Sequence, residues 1–246
     1  VMARLEEIRG ADGLHKGASF TTIAGAGSNG AIVHYRSSPE TERKVEKGTF
    51  LLIDSGAQYL DGTTDITRTI AVGRVPKRLR EHYTLVLKGH IAVATARFPK
   101  GTGGIAIDGF ARRALWQAGL DFDHGTGHGV GVYLGVHEGP ARLSPLSQVP
   151  LEPGMILSNE PGYYQTGSHG IRLENLVVVT ESAKPGFLEF ETITFCPFDR
   201  RAIEVTLLTA EERNWLDAYH ARTRDLLVGQ LKGGDRAWLL RMTAPL

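Results

Sequence analysis

Five residues carry the chemistry that this sequence is able to do: the acids Asp54, Asp65, Glu160 and Glu174, and the imidazole of His128. The acids lie in or at the ends of runs that read as strands, where carboxylates are disfavoured. A carboxylate buried in a sheet is paired, hydrogen-bonded or held by a metal. Four acids and one imidazole brought together repel one another unless cations lie between them, and two divalent ions nearly neutralise the set. Mostly oxygen ligands with one nitrogen favour a harder ion such as manganese over a thiolate-type zinc site. Two such ions, about 3.5 Å apart, hold a hydroxide and polarise a carbonyl together. That is hydrolysis of an amide or ester without a covalent enzyme intermediate. No Gly-x-Ser-x-Gly elbow occurs, and the single cysteine, Cys196, has no adjacent base, so nucleophile triads are disfavoured.

The elements that must position these groups follow from local pattern. Leu51 to Ile70 reads as two apolar, β-branched strands joined by a turn at Asp61-Gly62, with Asp54 and Asp65 inside the strands. His124, His128 and His137 fall in a glycine-dense run, too rich in glycine for a helix. A loop and strand must therefore aim these imidazoles into one cavity, with glycine permitting close backbone approach. Pro150 to Tyr164 is a turn and then a strand ending in Glu160, fixed by Pro161. Gly170 to Thr180 reads as one further strand, whose alternation puts Arg172, Glu174 and Leu176 on one face.

Elsewhere, Phe20 to Tyr35 reads as strand, glycine-rich turn and strand, with His34 at the end of the second strand. The turn lacks the following helix and the Lys-Ser/Thr of a phosphate loop. Arg78 to Phe98 has helical spacing, as does Asp108 to Gln117, and His82 and His90 read as helix-surface residues. Residues 1–9 read as the end of an amphipathic helix. Thr209 to Glu212 is a capping-box start, followed by a helix carrying Trp215 and Tyr219, then a short helix over about 235–242.

Composition bounds the rest. The chain has 246 residues and a net charge of +1, which provides no basic footprint for nucleic acid. No apolar run approaches the roughly 18 residues of a membrane span. One cysteine rules out an internal disulfide and suits a reducing compartment.

Asp54 and Asp65 in LLIDSG…TTDITRT, His128 in HGTGHGVG, Glu160 in SNEPGYY and Glu174 in IRLEN closely resemble the pita-bread metallopeptidases. Within them the resemblance is to the Xaa-Pro aminopeptidases (aminopeptidase P) of the cytosolic eukaryotic-like type. TIAGAGSNGAIVHY, the step from His128 to His137, GYYQTGSHGIRLEN and the tail FCPFDRRAIEV…LTAEERNWLDAYH carry it further. Methionine aminopeptidases share the ligand set but usually have a shorter step between the two histidines and lack this tail.

The resemblance implies an α+β pita-bread fold: a curved antiparallel sheet of two pseudo-related halves, helices on the outer face and metals in the concavity. It implies a catalytic domain over 1–197 and a C-terminal helical extension over 198–246 packed on it. Family members of this type carry non-catalytic domains before the catalytic one, and this chain starts at the catalytic domain. Asp54 would chelate one metal, Asp65 and Glu174 would bridge both, and His128 and Glu160 would hold the other. Glu160 would also move the proton from the metal-bridging hydroxide's parent water to the leaving proline nitrogen. His34 and His137 would contact the scissile carbonyl, His124 would line the substrate pocket, and Arg172 would pair with a bridging carboxylate. The implied cofactors are two divalent ions, manganese first, with zinc or cobalt as alternatives. The implied reaction releases the N-terminal residue from peptides with proline second. The aromatic tail helix predicts a homodimer, the single thiol suits the cytoplasm, and charge and apolar pattern predict neither nucleic acid nor membrane as a partner. Prolidase, methionine aminopeptidase and creatinase on the same fold, and a non-catalytic peptide-binding module, are the competing readings.

Overall fold

The computed structural model describes residues 1–11 and 13–246. The chain opens with α1 (Met2–Gly10), β1 (Gly17–Ala18) and β2 (Ile23–Ala26). A 3-10 turn at Gly27–Ala31 leads on to β3 (Thr49–Ser55), β4 (Ala57–Tyr59), β5 (Gly62–Thr63) and β6 (Ile66–Val72). Next come α2 (Lys77–Ala94), β7 (Arg97–Pro99) and α3 (Gly104–Gln117). The second half holds β8 (Gly127–His128), β9 (Arg142–Leu143), β10 (Ile156–Asn159), β11 (Gly162–Gln165), β12 (His169–Arg172), β13 (Asn175–Glu181) and β14 (Phe187–Thr192). It closes with α4 (Ala210–Leu227) and α5 (Gly233–Met242). The strands form short antiparallel sheets ordered β1-β4-β5, β2-β3-β6, β10-β13-β14-β7, β11-β12 and β8-β9.

Apolar periodicity explains the layers. α2 turns Tyr83, Val86, Leu87, Ile91 and Ala94 inward, at spacings that place them on one helix face. They meet Ile107 and Leu115 of α3, and Leu157, Val177 and Val179 of the β10-β13 pair, in one buried cluster. Each such fully buried side chain contributes about 1.5–3 kcal/mol relative to exposure. The helices thus cover one side of the sheets and leave the opposite side free to form a concavity.

Two of the acids sit at interruptions between strands. Gly56 parts β3 from β4, and Thr64-Asp65 lies between β5 and β6, so Asp65 stands just outside a strand. The run read as one strand over 170–180 is broken at Leu173-Glu174, which separates β12 from β13. Strict alternation forces neighbouring side chains to opposite faces. Breaks release Asp65 and Glu174 from it and let them converge on Asp54 from different strands.

Four local expectations are corrected. His34 does not end a strand; it is exposed in the turn after the 3-10 segment. That segment is pressed onto β12, where a Cβ on Gly170 would lie 1.6 Å from Gly30 O, and the chain then turns, Ile32 N donating to Asn29 O and Tyr35 N to Ile32 O. His82 and His90 are buried. Their partners are distant in sequence: His82 Nδ1 is 3.0 Å from His169 Nε2, and His90 Nδ1 donates to Leu173 O at 3.1 Å. The first long helix stops at Ala94, and Arg97–Pro99 instead pairs with β14 as an edge strand. The second long helix begins earlier than expected, at Gly104.

The capping box forms as read: Thr209 Oγ1 accepts from Glu212 N at 3.2 Å, and Glu212 Oε2 accepts from Thr209 N at 2.8 Å. Trp215 and Tyr219 of α4 stack at 5.4 Å and pack against the chain's own core. The aromatic face of this helix is thereby covered internally and gives no argument for a dimer.

Candidate metal centre

Asp54, next to the last residue of β3, lies opposite Thr67 of β6. Arg172 Nη2 donates to its Oδ2 at 2.5 Å. Asp65 is buried with Oδ2 3.4 Å from His128 Nε2. Glu160, directly after β10, places Oε1 3.2 Å from the same nitrogen and accepts there from Ser158 Oγ at 2.9 Å. Glu174 is buried, and its Oε2 accepts from Thr67 Oγ1 at 2.7 Å. One ligand atom each from Asp65, His128 and Glu174 lies within 4.8 Å of the others. Asp54 and Glu160 flank this trio through Arg172 and His128.

The residues fit divalent cations. Asp54 Oδ1, Asp65 Oδ1 and Glu174 Oε1 are buried with no hydrogen-bond partner. His128 Nδ1 donates to Gly129 O at 2.9 Å, which puts the lone pair on Nε2, facing the Asp65 and Glu160 carboxylates. A lone pair aimed at two carboxylates, with three orphaned carboxylate oxygens beside it, is an acceptor-only cage that only cations satisfy. The electrostatics agree. Burial raises Asp65 and Glu174 well above the ordinary carboxylate range, and their acidic neighbours raise them further. Asp54 is raised by burial and partly relieved by Arg172.

Arg172 organises the cage. Besides Asp54, it donates from Nη1 to Tyr164 Oη at 2.8 Å and from Nε to Thr67 Oγ1 at 3.2 Å. Its direct partner is Asp54 rather than Asp65 or Glu174, and it reaches Glu174 only through the Thr67 hydroxyl. Tyr164, pushed up to about 12 by burial, stays a phenol and donates to His124 Nε2 at 2.9 Å. His124 Nδ1 donates to Gly125 O at 2.8 Å, so both of its ring nitrogens are engaged even though it lines the cavity.

The cage residues line a cavity of about 670 Å³ that Phe20, Ile23 and Val33 also line. His34 and His137 line it as well. The His137 and His128 ring centroids are 3.9 Å apart. His137 is held below the ordinary imidazole range by burial and then by His128, so it is neutral near pH 7. Apolar side chains, the imidazoles of His34 and His137 and an acidic cage line one concave site of the kind that holds ligands.

Comparison with known proteins agrees with this geometry. Residues 1–181 match the model of metallopeptidase family M24, and residues 186–246 match that of the C-terminal region of the same peptidases. The chain belongs to metallopeptidase family M24. A probable Xaa-Pro aminopeptidase P of Laccaria bicolor is 49% identical over 254 residues, spanning 99% of this chain and 40% of that protein. An X-prolyl aminopeptidase from Caenorhabditis elegans, a cytosolic enzyme with a di-nuclear active site, superposes with a TM-score of 0.94. It is 38% identical over 100% of this chain and 41% of its own. A dipeptidase from Pyrococcus horikoshii OT3 superposes with a TM-score of 0.69 at 31% identity, over 80% of this chain and 52% of its own. The chain spans about 40% of the length of the first of these relatives. Its fold is the α+β pita-bread fold of the M24 peptidases.

Several residues of this M24 centre escaped the sequence reading. Thr67 and Ser158, which donate to Glu174 and Glu160, read as ordinary strand hydroxyls. Asp108 and Arg112 form a buried pair on α3, with Arg112 Nε donating to Asp108 Oδ2 at 2.6 Å. Asp108 Oδ1 accepts from Thr126 Oγ1 at 2.8 Å, and Arg112 Nη2 donates to His124 O at 2.6 Å, so the pair anchors the histidine loop. The available signal was an i, i+4 charge pair among the apolar residues Ile107, Ala111 and Leu115.

Proposed function

We propose that this chain is the catalytic portion of an Xaa-Pro aminopeptidase, releasing the N-terminal residue of peptides with proline second. One observation carries the reading: the buried cage of partnerless carboxylate oxygens and a histidine lone pair at the floor of a cavity lined by His34 and His137. Asp54, Asp65, His128, Glu160 and Glu174 are the residues that would hold two divalent ions, manganese first among them. Such ions, when bound, lower the pKa of a water and polarise a carbonyl.

The chain's own residues do the rest. Glu160, steadied by Ser158, takes a proton from the attacking water and delivers it to the proline nitrogen as the C–N bond breaks. The water oxygen bonds to the scissile carbon, and the departing nitrogen gains the proton. His137 and His34 donate to the carbonyl oxygen as negative charge develops on it. The apolar wall of Phe20, Ile23 and Val33 receives apolar substrate surface and excludes water. The X–Pro bond has no N–H, so a site that reads it works by shape and through the carbonyl.

The same reading takes 1–197 as the catalytic unit and 198–246 as an extension on it. It places the protein in a reducing cytoplasm as a homodimer, the single thiol being the feature that accords with the compartment. A prolidase is the second reading, favoured by the likeness to the Pyrococcus dipeptidase. Metal-stripped chain with Mn²⁺ restored is expected to release Arg from Arg-Pro-Pro and to leave Ala-Ala intact. Glu160→Gln should lower turnover by roughly 10²–10⁴-fold. Cleavage of Xaa-Pro dipeptides alone would install the prolidase reading, and Mn²⁺-independent turnover would sink both.

A further inference from the structure

The M24 centre is built on residues 51–174, yet a buried arginine ties it to the far end of the chain. Arg68 follows Thr67 in β6, so its side chain leaves on the opposite face from the Thr67 hydroxyl. It is buried, and among the described residues it meets no carboxylate within ion-pair distance. Its acceptors are neutral: Nη1 donates to Thr67 O at 2.9 Å and to Glu174 O at 2.5 Å. Nη2 donates to Asn175 Oδ1 at 2.7 Å, Cys196 O at 2.7 Å and Tyr219 Oη at 3.1 Å. A buried guanidinium held by dipoles alone is expensive to place. The structure keeps one where Glu174 meets the segment leading into α4.

We infer that Arg68 and Tyr219 are positioning residues for Glu174, through which the C-terminal segment sets the geometry of the metal centre. This rests on the metal-centre reading above. Glu174 sits in the break between β12 and β13, outside the strand ladders. Its N–H instead donates to Thr67 O at 3.1 Å, and its carbonyl accepts from Arg68 Nη1. Both backbone groups of Glu174 are therefore held by Thr67 and Arg68, and its carboxylate by the Thr67 hydroxyl. The orientation of the Arg68 fork is fixed in turn from the other side. Tyr219 Oη stands 2.9 Å from Cys196 O and accepts from Cys196 N at 3.1 Å. Arg68 Cζ lies over the Phe198 ring, 4.2 Å from its centroid. A lysine has one ammonium and cannot span both ends of this fork.

The test is Mn²⁺ titration of metal-stripped full chain, followed by the EPR signal of the free aquo ion. Wild type is compared with Arg68→Lys, Tyr219→Phe and Leu216→Ala. Leu216 is buried in the same helix and touches neither Arg68 nor Glu174 by a hydrogen bond, so its truncation reports helix stability alone. Arg68→Lys should weaken Mn²⁺ binding about tenfold or more and Tyr219→Phe at least about threefold, the range of groups that orient ligands. Leu216→Ala should lower the unfolding midpoint and leave Mn²⁺ affinity at the wild-type value. Wild-type affinity in both Tyr219→Phe and Arg68→Lys overturns the inference, as does an equal loss in Leu216→Ala. If Arg68→Lys does not fold, Tyr219→Phe decides alone. A wild-type chain that binds no Mn²⁺ removes the metal reading and this inference with it.

Discussion

Thr67 Oγ1 donates to Glu174 Oε2 at 2.7 Å, joining residues 107 apart in the chain, and the same oxygen accepts from Arg172 Nε at 3.2 Å. One hydroxyl thus orients a ligand carboxylate and the arginine that steadies Asp54. Thr67→Val keeps the shape and removes the hydrogen bonds. The expected result is Mn²⁺ binding weakened by about tenfold or more, together with about 1–3 kcal/mol lost from stability for the buried partners left unpaired. Isothermal titration and urea unfolding measure both, and an unchanged Mn²⁺ affinity would show that the hydroxyl has no part in the cage.

Gly127 decides where His128 goes. A Cβ there would lie 1.9 Å from Ser158 O, because β8 runs hard against β10. Gly127→Ala must push these strands apart, displacing both His128 and the Ser158–Glu160 hydrogen bond. A loss of about 1–3 kcal/mol is expected from the forced fit, with a fall in the number of Mn²⁺ ions bound per chain. Full metal stoichiometry in the variant would contradict the account.

Metal and pH should act together at Asp65 and Glu174. In the metal-free protein, burial first and neighbouring acids second raise both groups well above the ordinary range. A carboxylate whose folded-state pKa exceeds its unfolded value favours folding at acid pH and loses that contribution as pH rises through the folded value. Metal binds the deprotonated forms, so it restores most where the free protein has lost most. The difference in urea midpoint between Mn²⁺-saturated and chelator-treated protein should therefore be larger at about pH 8 than at about pH 5.5. Equal differences at both would count against the cage.

The buried imidazoles carry the opposite sign. Burial pushes His90 down to about 3 and His220 to about 4, so both are neutral in the folded protein at neutral pH. Their unfolded forms take up protons below about 6.5. Stability from these groups is whole above that value and is lost as pH falls from there toward the folded values. His220 is fully buried, its Nε2 accepting from Phe198 N at 3.1 Å. The stability advantage of wild type over His220→Gln should shrink by about 1.4 kcal/mol per pH unit below about 6.5. Denaturant titrations at several pH values test this, and a constant difference would show that His220 takes up its proton equally in the folded and unfolded states.

The groups capable of chemistry were legible in the chain. Four acids and an imidazole in strand-like runs, a glycine-dense histidine loop and a Thr209–Glu212 capping box are local signals, visible because neighbours in the chain set them. Tertiary structure decided the rest. Asp65 and Glu174 leave the strand ladders at breaks that no alternation pattern marks, and Arg172 reaches Asp54, 118 residues away, rather than a nearer acid. His82 and His90 have charged neighbours in sequence yet are buried, His82 against His169 of β12 and His90 against Leu173 and Asn175. Arg68 read as a strand residue among threonines, and its meaning came only when Glu174 and Tyr219 met at its two ends. Periodicity reports which face a side chain takes, but not what the folded chain brings to that face. For buried charges the distant partner sets the energy, and so it sets the function.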